Sequence, residues 1–387
     1  MAPSLIITQP YRKLYKFFRF LILGARIPIW LLKFTFIPSS RPDPRWTLRQ
    51  TLMSRLGREV LEILSVTETP QELSLKPGKE GDTFKVIEPA EDKFYKGPLL
   101  SKEVLPTTIG GTWFPKPIDK LSDLGPDAHV ILHIHGGGFV QGDGRTDDAG
   151  FFAKTILKHS GIFTAVFCPQ YRLSCRPTSA PFPAALQDAL TSYLYLVGTL
   201  GVPAAQIAVS GDSAGGNIAV AFLRYLADFG AELGIPSPGT AVLISPWVAP
   251  AAYVGPDDAR VAKDPHYATD YIPASFPRWG ARAYAGTATS VADPYITALG
   301  HPFRTSGVPV FVSVASGELL EAEITPWVAE MSAVGGNDVE VYYEEGAPHD
   351  TLLVGFILGW KESAEGVAAK IGEFVRERTL KRKGLEE

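Results

Sequence analysis

One serine stands in a sequence context that can support nucleophilic chemistry. Ser213 lies in the segment Gly211-Asp212-Ser213-Ala214-Gly215-Gly216, directly after the apolar run 206–210 and before a helical apolar pattern. A sharp strand-to-helix turn of this kind exposes the serine hydroxyl, and glycines on either side allow the close packing that the turn requires. The N-terminus of the following helix also favours developing negative charge. The context predicts a serine nucleophile for acyl transfer, with a glycine-rich helix cap as the alternative.

A glycine run follows the apolar segment 129–135. It reads His135-Gly136-Gly137-Gly138, and glycines let backbone N–H groups approach a reacting carbonyl that side chains would obstruct. Such donors stabilise the oxyanion of a tetrahedral intermediate. The expected donors are the N–H groups of Gly137, Gly138 and Ala214.

Two histidines at the start of this run could instead suggest a metal site. His133 and His135 share one face of the predicted strand, but no third ligand stands at a suitable spacing. We therefore expect no metal and no cofactor, and we expect His135 to order the glycine loop.

A serine nucleophile needs a histidine base, which in such sites comes after the serine and the acid in chain order. Three histidines follow Ser213, and two of them, His266 and His301, lie in the irregular stretch 247–305. The third, His349, comes just after the last apolar strand pattern. His349 is therefore the predicted base.

The predicted acid is Glu318. It is the first carboxylate after the apolar run 308–315, where a side chain points toward the carboxyl end of the sheet. Glu321 and Glu323 fall on the helix that follows, so we expect them to be solvated. Asp212 is adjacent to the nucleophile and is expected to point elsewhere, so the remaining alternatives are Asp293 and Asp350.

The candidate residues lie in a sequence in which predicted strands alternate with predicted helices. Short apolar segments typical of buried strands alternate with helical patterns, which predicts an α/β fold with a mostly parallel sheet flanked by helices. The predicted strands are 129–135, 162–168, 206–210, 240–245, 308–315 and 339–343; the predicted helices are 46–66, 145–159, 183–199, 213–229, 319–334 and 351–378.

Composition identifies a folded protein with an unusual N-terminus. Hydrophobic residues make up 45% of the 387 residues and charged residues 20%, which excludes a disordered chain. The formal net charge is −4, yet residues 1–42 carry seven basic residues and no acidic one. The rest is therefore strongly acidic, which argues against nucleic acid as a partner.

Residues 14–36 are mostly large and apolar and predict a helix. Four cationic residues recur along it every seven positions and form a narrow stripe, Arg12, Arg19, Arg26 and Lys33. A single membrane span, an interfacial helix in the headgroup layer and a helix packed over the pocket are the alternatives. The stripe favours the interfacial helix, so we expect a membrane surface as partner through residues 12–37. The endoplasmic reticulum membrane is the candidate location, and the cytoplasm is the alternative.

The sequence divides into three predicted parts. Residues 1–42 form the basic, apolar arm, and residues 43–103 form an N-terminal cap or accessory region. Residues 104–387 form the catalytic domain, with a cap insertion at about 247–305 that breaks the strand–helix alternation.

Taken together, the motifs resemble the hormone-sensitive-lipase-like group of α/β-hydrolases, which includes arylacetamide deacetylases. The resemblance covers about residues 104–375. It depends on HGGG at 135–138, GDSAGG at 211–216, the segment 181–186 with Asp188, Asp293-Pro294-Tyr295, and the order Ser213, Glu318, His349. Two departures are visible: that group usually has Asp where Glu318 stands, and residues 170–176 differ from its D-Y-R-L-A-P-E segment.

The resemblance implies an α/β-hydrolase fold with a helical cap built from the N-terminal region and the insertion. It also implies a serine carboxylesterase or deacetylase that acts on a short-chain acyl ester of a hydrophobic small molecule. Two alternatives stay open, an amidase or formamidase with the same triad and a non-catalytic ligand receptor of the same fold.

Overall fold

The computed structural model of the protein describes residues 5–125, 128–255 and 261–384. Eight strands within these ranges form one sheet. In chain order they are β1 (Phe84–Ile87), β2 (Ile109–Phe114), β3 (His129–Ile134), β4 (Phe163–Gln170), β5 (Ile207–Asp212), β6 (Thr240–Ile244), β7 (Val310–Ala315) and β8 (Val339–Glu344).

The strand order is β1-β2-β4-β3-β5-β6-β7-β8. Strands β1, β2 and β4 pair antiparallel at one edge, and all the other pairs are parallel. The six predicted strands are β3 to β8, with ends shifted by one or two residues. The predicted α/β sheet is therefore confirmed, and the antiparallel edge of β1 and β2 is an addition to it.

Helices flank this sheet on both faces. They are α1 (Tyr11–Phe36), α2 (Leu48–Val66), α3 (Thr146–His159), α4 (Ala184–Leu194), α5 (Ser213–Tyr225), α6 (Ser275–Ala285), α7 (Glu321–Ala333), α8 (Thr351–Leu358) and α9 (Lys361–Lys383). The single helix predicted over 351–378 is wrong, because the chain turns between α8 and α9 at Gly359, which has a φ of 95°.

Alternating residues of each central strand supply two separate cores. In β3, Val130, Leu132 and Ile134 belong to the larger core, which includes residues of α4, α5 and α7. Ile131 belongs to the smaller core on the opposite face, together with residues of α3 and α9. Because successive side chains of a strand point to opposite faces, continuous apolar strands are buried on both sides.

A cap covers the carboxyl ends of the central strands. Helix α2 begins with a capping box in which Thr47 and Gln50 satisfy each other's backbone N–H groups. It packs against α6, from the insertion, and against α8. The division into three parts stays a prediction, and β1, from the predicted accessory region, is hydrogen-bonded into the main sheet through β2.

Helix α1 packs on α2, and two cations of its stripe pair with a carboxylate of α2. Arg19 donates to one oxygen of Glu59 at 2.9 Å and Arg26 donates to the other at 3.1 Å. A single carboxylate of α2 therefore pairs with two of the four cations of the stripe and offsets one of their two positive charges. The expected contact of the stripe with a headgroup layer stays a prediction. Among the described residues, no helix combines the length and the apolar character needed to cross a bilayer.

Candidate active site

Ser213 occupies a strained turn between β5 and α5. Its φ is 51°, a left-handed conformation that costs energy for a residue with a side chain. Its neighbours on both sides are buried, whereas Ser213 itself is half-buried. The turn thus presents the hydroxyl at the carboxyl end of the central strands.

Glycines make this turn possible by removing side chains from tight contacts. A Cβ on Gly215 would lie 1.9 Å from the carbonyl oxygen of Ile134, and one on Gly211 would lie 2.2 Å from that of Gly215. Both separations are far below van der Waals contact. Glycine at each position therefore lets α5 begin directly against β3 and β5.

His349 is bound to Glu318. The Nδ1 atom of His349 lies 2.5 Å from Oε2 of Glu318, and both side chains are buried. The other carboxylate oxygen of Glu318 accepts the N–H of Ala315 at 2.9 Å, which fixes the carboxylate in place. Because Nδ1 carries the proton toward Glu318, Nε2 of His349 is left as the acceptor.

The charge around His349 favours its protonated form. Burial alone lowers the pKa of the imidazole, but the hydrogen bond to Glu318 and its charge, with the charges of Asp270 and Asp212, raise the pKa above its ordinary value. A base with a raised pKa is a stronger proton acceptor. His349 can therefore take a proton from a nearby hydroxyl and stabilise the resulting charge.

The glycine loop offers free backbone donors beside this pair. Gly137 and Gly138 have φ values of 97° and 62°, and a Cβ on Gly137 would lie 2.1 Å from the carbonyl oxygen of Gln141. In the described part of the chain, neither N–H donates to a protein acceptor. Ala214 lies in the first turn of α5, where N–H groups have no acceptor within the helix. Gly137 lines the same cavity as Ser213, and Ala214 follows the serine in the chain. The role of all three N–H groups as oxyanion donors stays a prediction.

His133 contacts two residues of β5, and His135 contacts the glycine loop. His133 lies 3.1 Å from Asp212 through Nε2 and 3.1 Å from Ser210 through Nδ1. His135 contacts the carbonyl oxygen of Gly136 at 2.8 Å and stacks on Tyr171. Burial lowers the pKa of His135 to about 4, so this ring is neutral at physiological pH.

The rival residues are engaged elsewhere. Asp293 accepts the N–H of Tyr295 in a turn of the insertion, and Glu321 lies 3.8 Å from His266. His301 is exposed. Glu323 is buried and bonded to the side chain of Tyr253, so the expectation of a solvated Glu323 is wrong.

Asp270 is a site residue that the sequence patterns did not reveal. It is buried, and its Oδ2 accepts the N–H of Leu319 at 2.7 Å, while the hydroxyl of Thr269 donates to the carbonyl oxygen of Gly317 at 2.8 Å. The insertion thus holds the loop on both sides of Glu318. The insertion has no regular periodicity, so no pattern in the sequence identified Asp270. Its role became visible only from its burial and its hydrogen bonds in the structure.

Ser213 and His349 line one cavity of about 320 Å³ together with Gly136 and Gly137. Apolar side chains from three helices and the insertion form most of its remaining wall, Leu61, Tyr271, Ile272, Phe276, Leu353, Val354, Phe356 and Ile357. A separate cavity of about 500 Å³ between α2 and α6 contains none of the predicted catalytic residues. The smaller cavity therefore combines a hydroxyl, a base and free N–H donors in apolar surroundings, an arrangement suited to acyl transfer.

Known proteins resemble this chain in both sequence and fold. A family profile described as the alpha/beta hydrolase fold matches residues 131–353. This range includes Ser213, Glu318, His349 and the glycine loop.

Two curated relatives are hydrolases. The acetyl-hydrolase of Streptomyces hygroscopicus is 32% identical over 196 residues, which is 50% of this chain and 58% of that protein. The ethyl acetate hydrolase of Pseudomonas putida is 27% identical over 242 residues, which is 62% of this chain and 70% of that protein. The chain therefore matches little more than half the length of the first relative.

A solved structure supports the fold alone. An esterase from the bacterial hormone-sensitive lipase family superposes with a TM-score of 0.55 at 21% identity, covering 98% of this chain and all of that one.

Proposed function

Because the chain belongs to the family with the α/β-hydrolase fold, we propose that it is a serine carboxylesterase or deacetylase that hydrolyses a short-chain ester of a hydrophobic small molecule. Membership confirms the resemblance to the hormone-sensitive-lipase-like group. The observation that carries the proposal is one cavity with Ser213 in a strained turn, His349 bound to a buried Glu318, and unpaired glycine N–H groups.

The first half of the reaction forms an acyl-enzyme. The Ser213 oxygen attacks the ester carbonyl while Nε2 of His349 accepts the hydroxyl proton, and Glu318 stabilises the imidazolium through Nδ1. The N–H groups of Gly137, Gly138 and Ala214 bind the oxyanion, each donor contributing about 3–4 kcal/mol at the transition state.

The second half releases the products. His349 returns the proton to the leaving alcohol, and a water molecule that loses its proton to His349 attacks the acyl-enzyme. Ser213 is regenerated and the acid leaves. The apolar wall of the cavity, including Phe276 and Ile272, favours an apolar substrate because its burial releases water from both surfaces.

The proposed esterase activity predicts covalent labelling and a preference for esters over amides. We expect a fluorophosphonate probe to label the full-length protein, since an activated serine attacks phosphorus as it attacks a carbonyl. A series of p-nitrophenyl esters should favour acetate and butyrate over long acyl chains, because the cavity holds only about 320 Å³.

Matched substrates decide between the alternatives. p-Nitrophenyl acetate and p-nitroacetanilide differ only in the atom that leaves, so faster turnover of the anilide would indicate an amidase. A folded protein that neither reacts with the probe nor hydrolyses any ester would contradict the proposal and support a receptor.

We also propose that α1 binds a membrane surface through its outer, apolar side. Large side chains along α1 are between 44 and 77% exposed, among them Phe17, Leu21, Ile29, Leu32 and Phe36. They occur in both halves of the 26-residue helix, and large exposed apolar patches are interaction sites. Glu59 offsets only one of the two charges of Arg19 and Arg26, and α1 carries further cations, so apolar burial and attraction to anionic lipid would both supply affinity.

This second proposal predicts binding to neutral vesicles. The full-length protein should float with phosphatidylcholine vesicles, and adding phosphatidylserine should strengthen binding because α1 keeps a net positive charge. The variant Phe17→Glu/Leu32→Glu should lose binding, whereas Leu100→Glu, at an exposed leucine outside α1, should keep it. A protein that dimerises through α1 and ignores both kinds of vesicle would contradict the proposal.

A further inference from the structure

Two buried aspartates stand next to the proposed nucleophile and base. Asp212 precedes Ser213 and Asp350 follows His349, and each is 1% exposed. The turn that carries Asp350 is as strained as the serine turn, because Asp350 has a φ of 48°. Neither carboxyl has a part in the acyl-transfer steps described above.

Each aspartate uses one oxygen for an ordinary contact. Oδ1 of Asp212 accepts the N–H of Gly136 at 2.9 Å and lies 3.1 Å from Nε2 of His133. Oδ1 of Asp350 accepts the N–H of Leu353 at 3.1 Å and so caps α8. These contacts leave one oxygen of each carboxyl to be explained.

The two carboxyl groups lie within hydrogen-bonding reach of each other. Oδ2 of Asp212 and Oδ2 of Asp350 are buried, and no donor among the described residues reaches either of them. The two carboxyl groups are nevertheless hydrogen-bonding partners. Two ionised carboxylates would present only acceptors and repel each other, so a close buried pair of this kind holds one proton.

We propose that Asp350 retains a proton and donates it to Asp212, so that one buried hydrogen bond joins the His349 turn to the nucleophile turn. Through the second oxygen of Asp212 the same bond reaches Gly136 and therefore the oxyanion loop. Asp350 is then a positioning residue. The inference rests on the proposed function for its effect on activity, but not for the proton itself.

The surroundings assign the proton to Asp350 rather than to Asp212. Burial raises the pKa of both carboxyls, but the hydrogen bond from His133 and its charge bring the pKa of Asp212 below its ordinary value. Asp350 has no cationic partner of this kind, and burial together with the charge of Asp212 raises its pKa well above the ordinary range.

Other titratable groups face the pair from several elements. His133 and His135 face it from β3 and its loop, and His349 and Glu318 face it from the turns after β8 and β7. Burial raises the pKa values of Cys168, Tyr171 and Tyr271, which are the other groups near it. These three stay neutral over the working range, so they do not compete for the proton.

Two substitutions of Asp350 separate the hydrogen bond from the carboxyl group. In Asp350→Asn the amide oxygen can accept from Leu353 and the amide nitrogen can donate to Asp212, so every contact is kept. We expect kcat on p-nitrophenyl acetate at about pH 7 to stay within about threefold of the wild-type value. Asp350→Leu leaves Asp212 without its donor, and we expect kcat to fall at least about tenfold with KM nearly unchanged.

A titration and an infrared measurement identify the proton. An amide cannot ionise, so Asp350→Asn should retain activity at alkaline pH values where the wild type loses it. At about pH 8, where an ordinary Asp is ionised, the infrared difference spectrum between the two proteins should contain the carbonyl stretch of one protonated carboxylic acid. The control is Glu80→Gln, since Glu80 is another buried acid, bonded to Thr146, and should leave the alkaline limb unchanged.

The infrared band tests whether Asp350 is protonated even if the protein hydrolyses none of the esters, because the measurement requires no substrate. Absence of that band, a loss of kcat of tenfold or more in Asp350→Asn, or failure of Asp350→Asn to fold would overturn the proposal. If Asp350→Leu fails to fold, the comparison of Asp350→Asn with the wild type still gives the answer.

Discussion

Replacing Ser213 by alanine is expected to lower kcat on p-nitrophenyl acetate by roughly a million-fold, which is the scale seen when a nucleophilic serine is removed from such a triad. Among the described residues that line the cavity with His349, only Ser213 and Tyr271 carry a hydroxyl group. Burial raises the pKa of Tyr271 well above its ordinary value, so the phenol is a poor substitute. Initial rates and probe labelling of the same preparations measure the effect.

The matched control for this variant is Ser192→Ala. Ser192 is also a buried serine, but its hydroxyl donates to the carbonyl oxygen of Asp188 within α4, and Ser192 does not line the cavity. We expect it to retain wild-type kcat and labelling. Retention of full activity by Ser213→Ala would refute the assignment of the nucleophile.

Replacing Glu318 by glutamine is expected to lower kcat by about 10⁴-fold, as for the neutral replacement of the acid in a comparable triad. The amide keeps the size of the side chain but loses the charge that stabilises the imidazolium. It can also present an N–H to Nδ1 of His349 and so impose the wrong tautomer. The measurement is kcat and KM over a range of pH.

The pH profile gives this prediction a second readout. His349 must be neutral to act as base, so activity falls as pH drops through its pKa, which Glu318 raises. Removing that charge lowers the pKa, and the acid limb of the residual activity should move to lower pH. Glu318→Asp, which restores the charge on a shorter side chain, should recover part of the rate. An unchanged acid limb in Glu318→Gln would indicate that another carboxylate is the acid.

The parallel part of the sheet could be predicted because its strands are buried on both faces. Continuous apolar runs such as 129–135 and 308–315 are typical of strands in a parallel sheet that is covered on both faces. Strand β2 gave no such signal, since Gly110 and Gly111 interrupt it. The structure supplies the reason for both glycines: a Cβ at either position would lie 2.2 Å from a phenyl ring, of Phe84 and of Phe167 respectively.

The candidate site could be predicted where chain order and loop position determine it, and not where tertiary contacts do. Glu318 and His349 follow predicted strands, so their meeting followed from the topology. Nothing in the sequence identified Asp270. Periodicity likewise showed that Arg19 and Arg26 share one side of a helix, but it could not show that Glu59 of α2 faces that side.

The bonds from Thr269 and Asp270 to the loop around Glu318 have a consequence for protein engineering. Exchanging the segment 247–305 between relatives is an obvious way to alter substrate preference, because it supplies part of the cavity wall. Here the same segment also fixes the acid. A chimaera would therefore inherit its specificity and the alignment of the proposed catalytic carboxylate from one donor, and the two could be exchanged only as a unit.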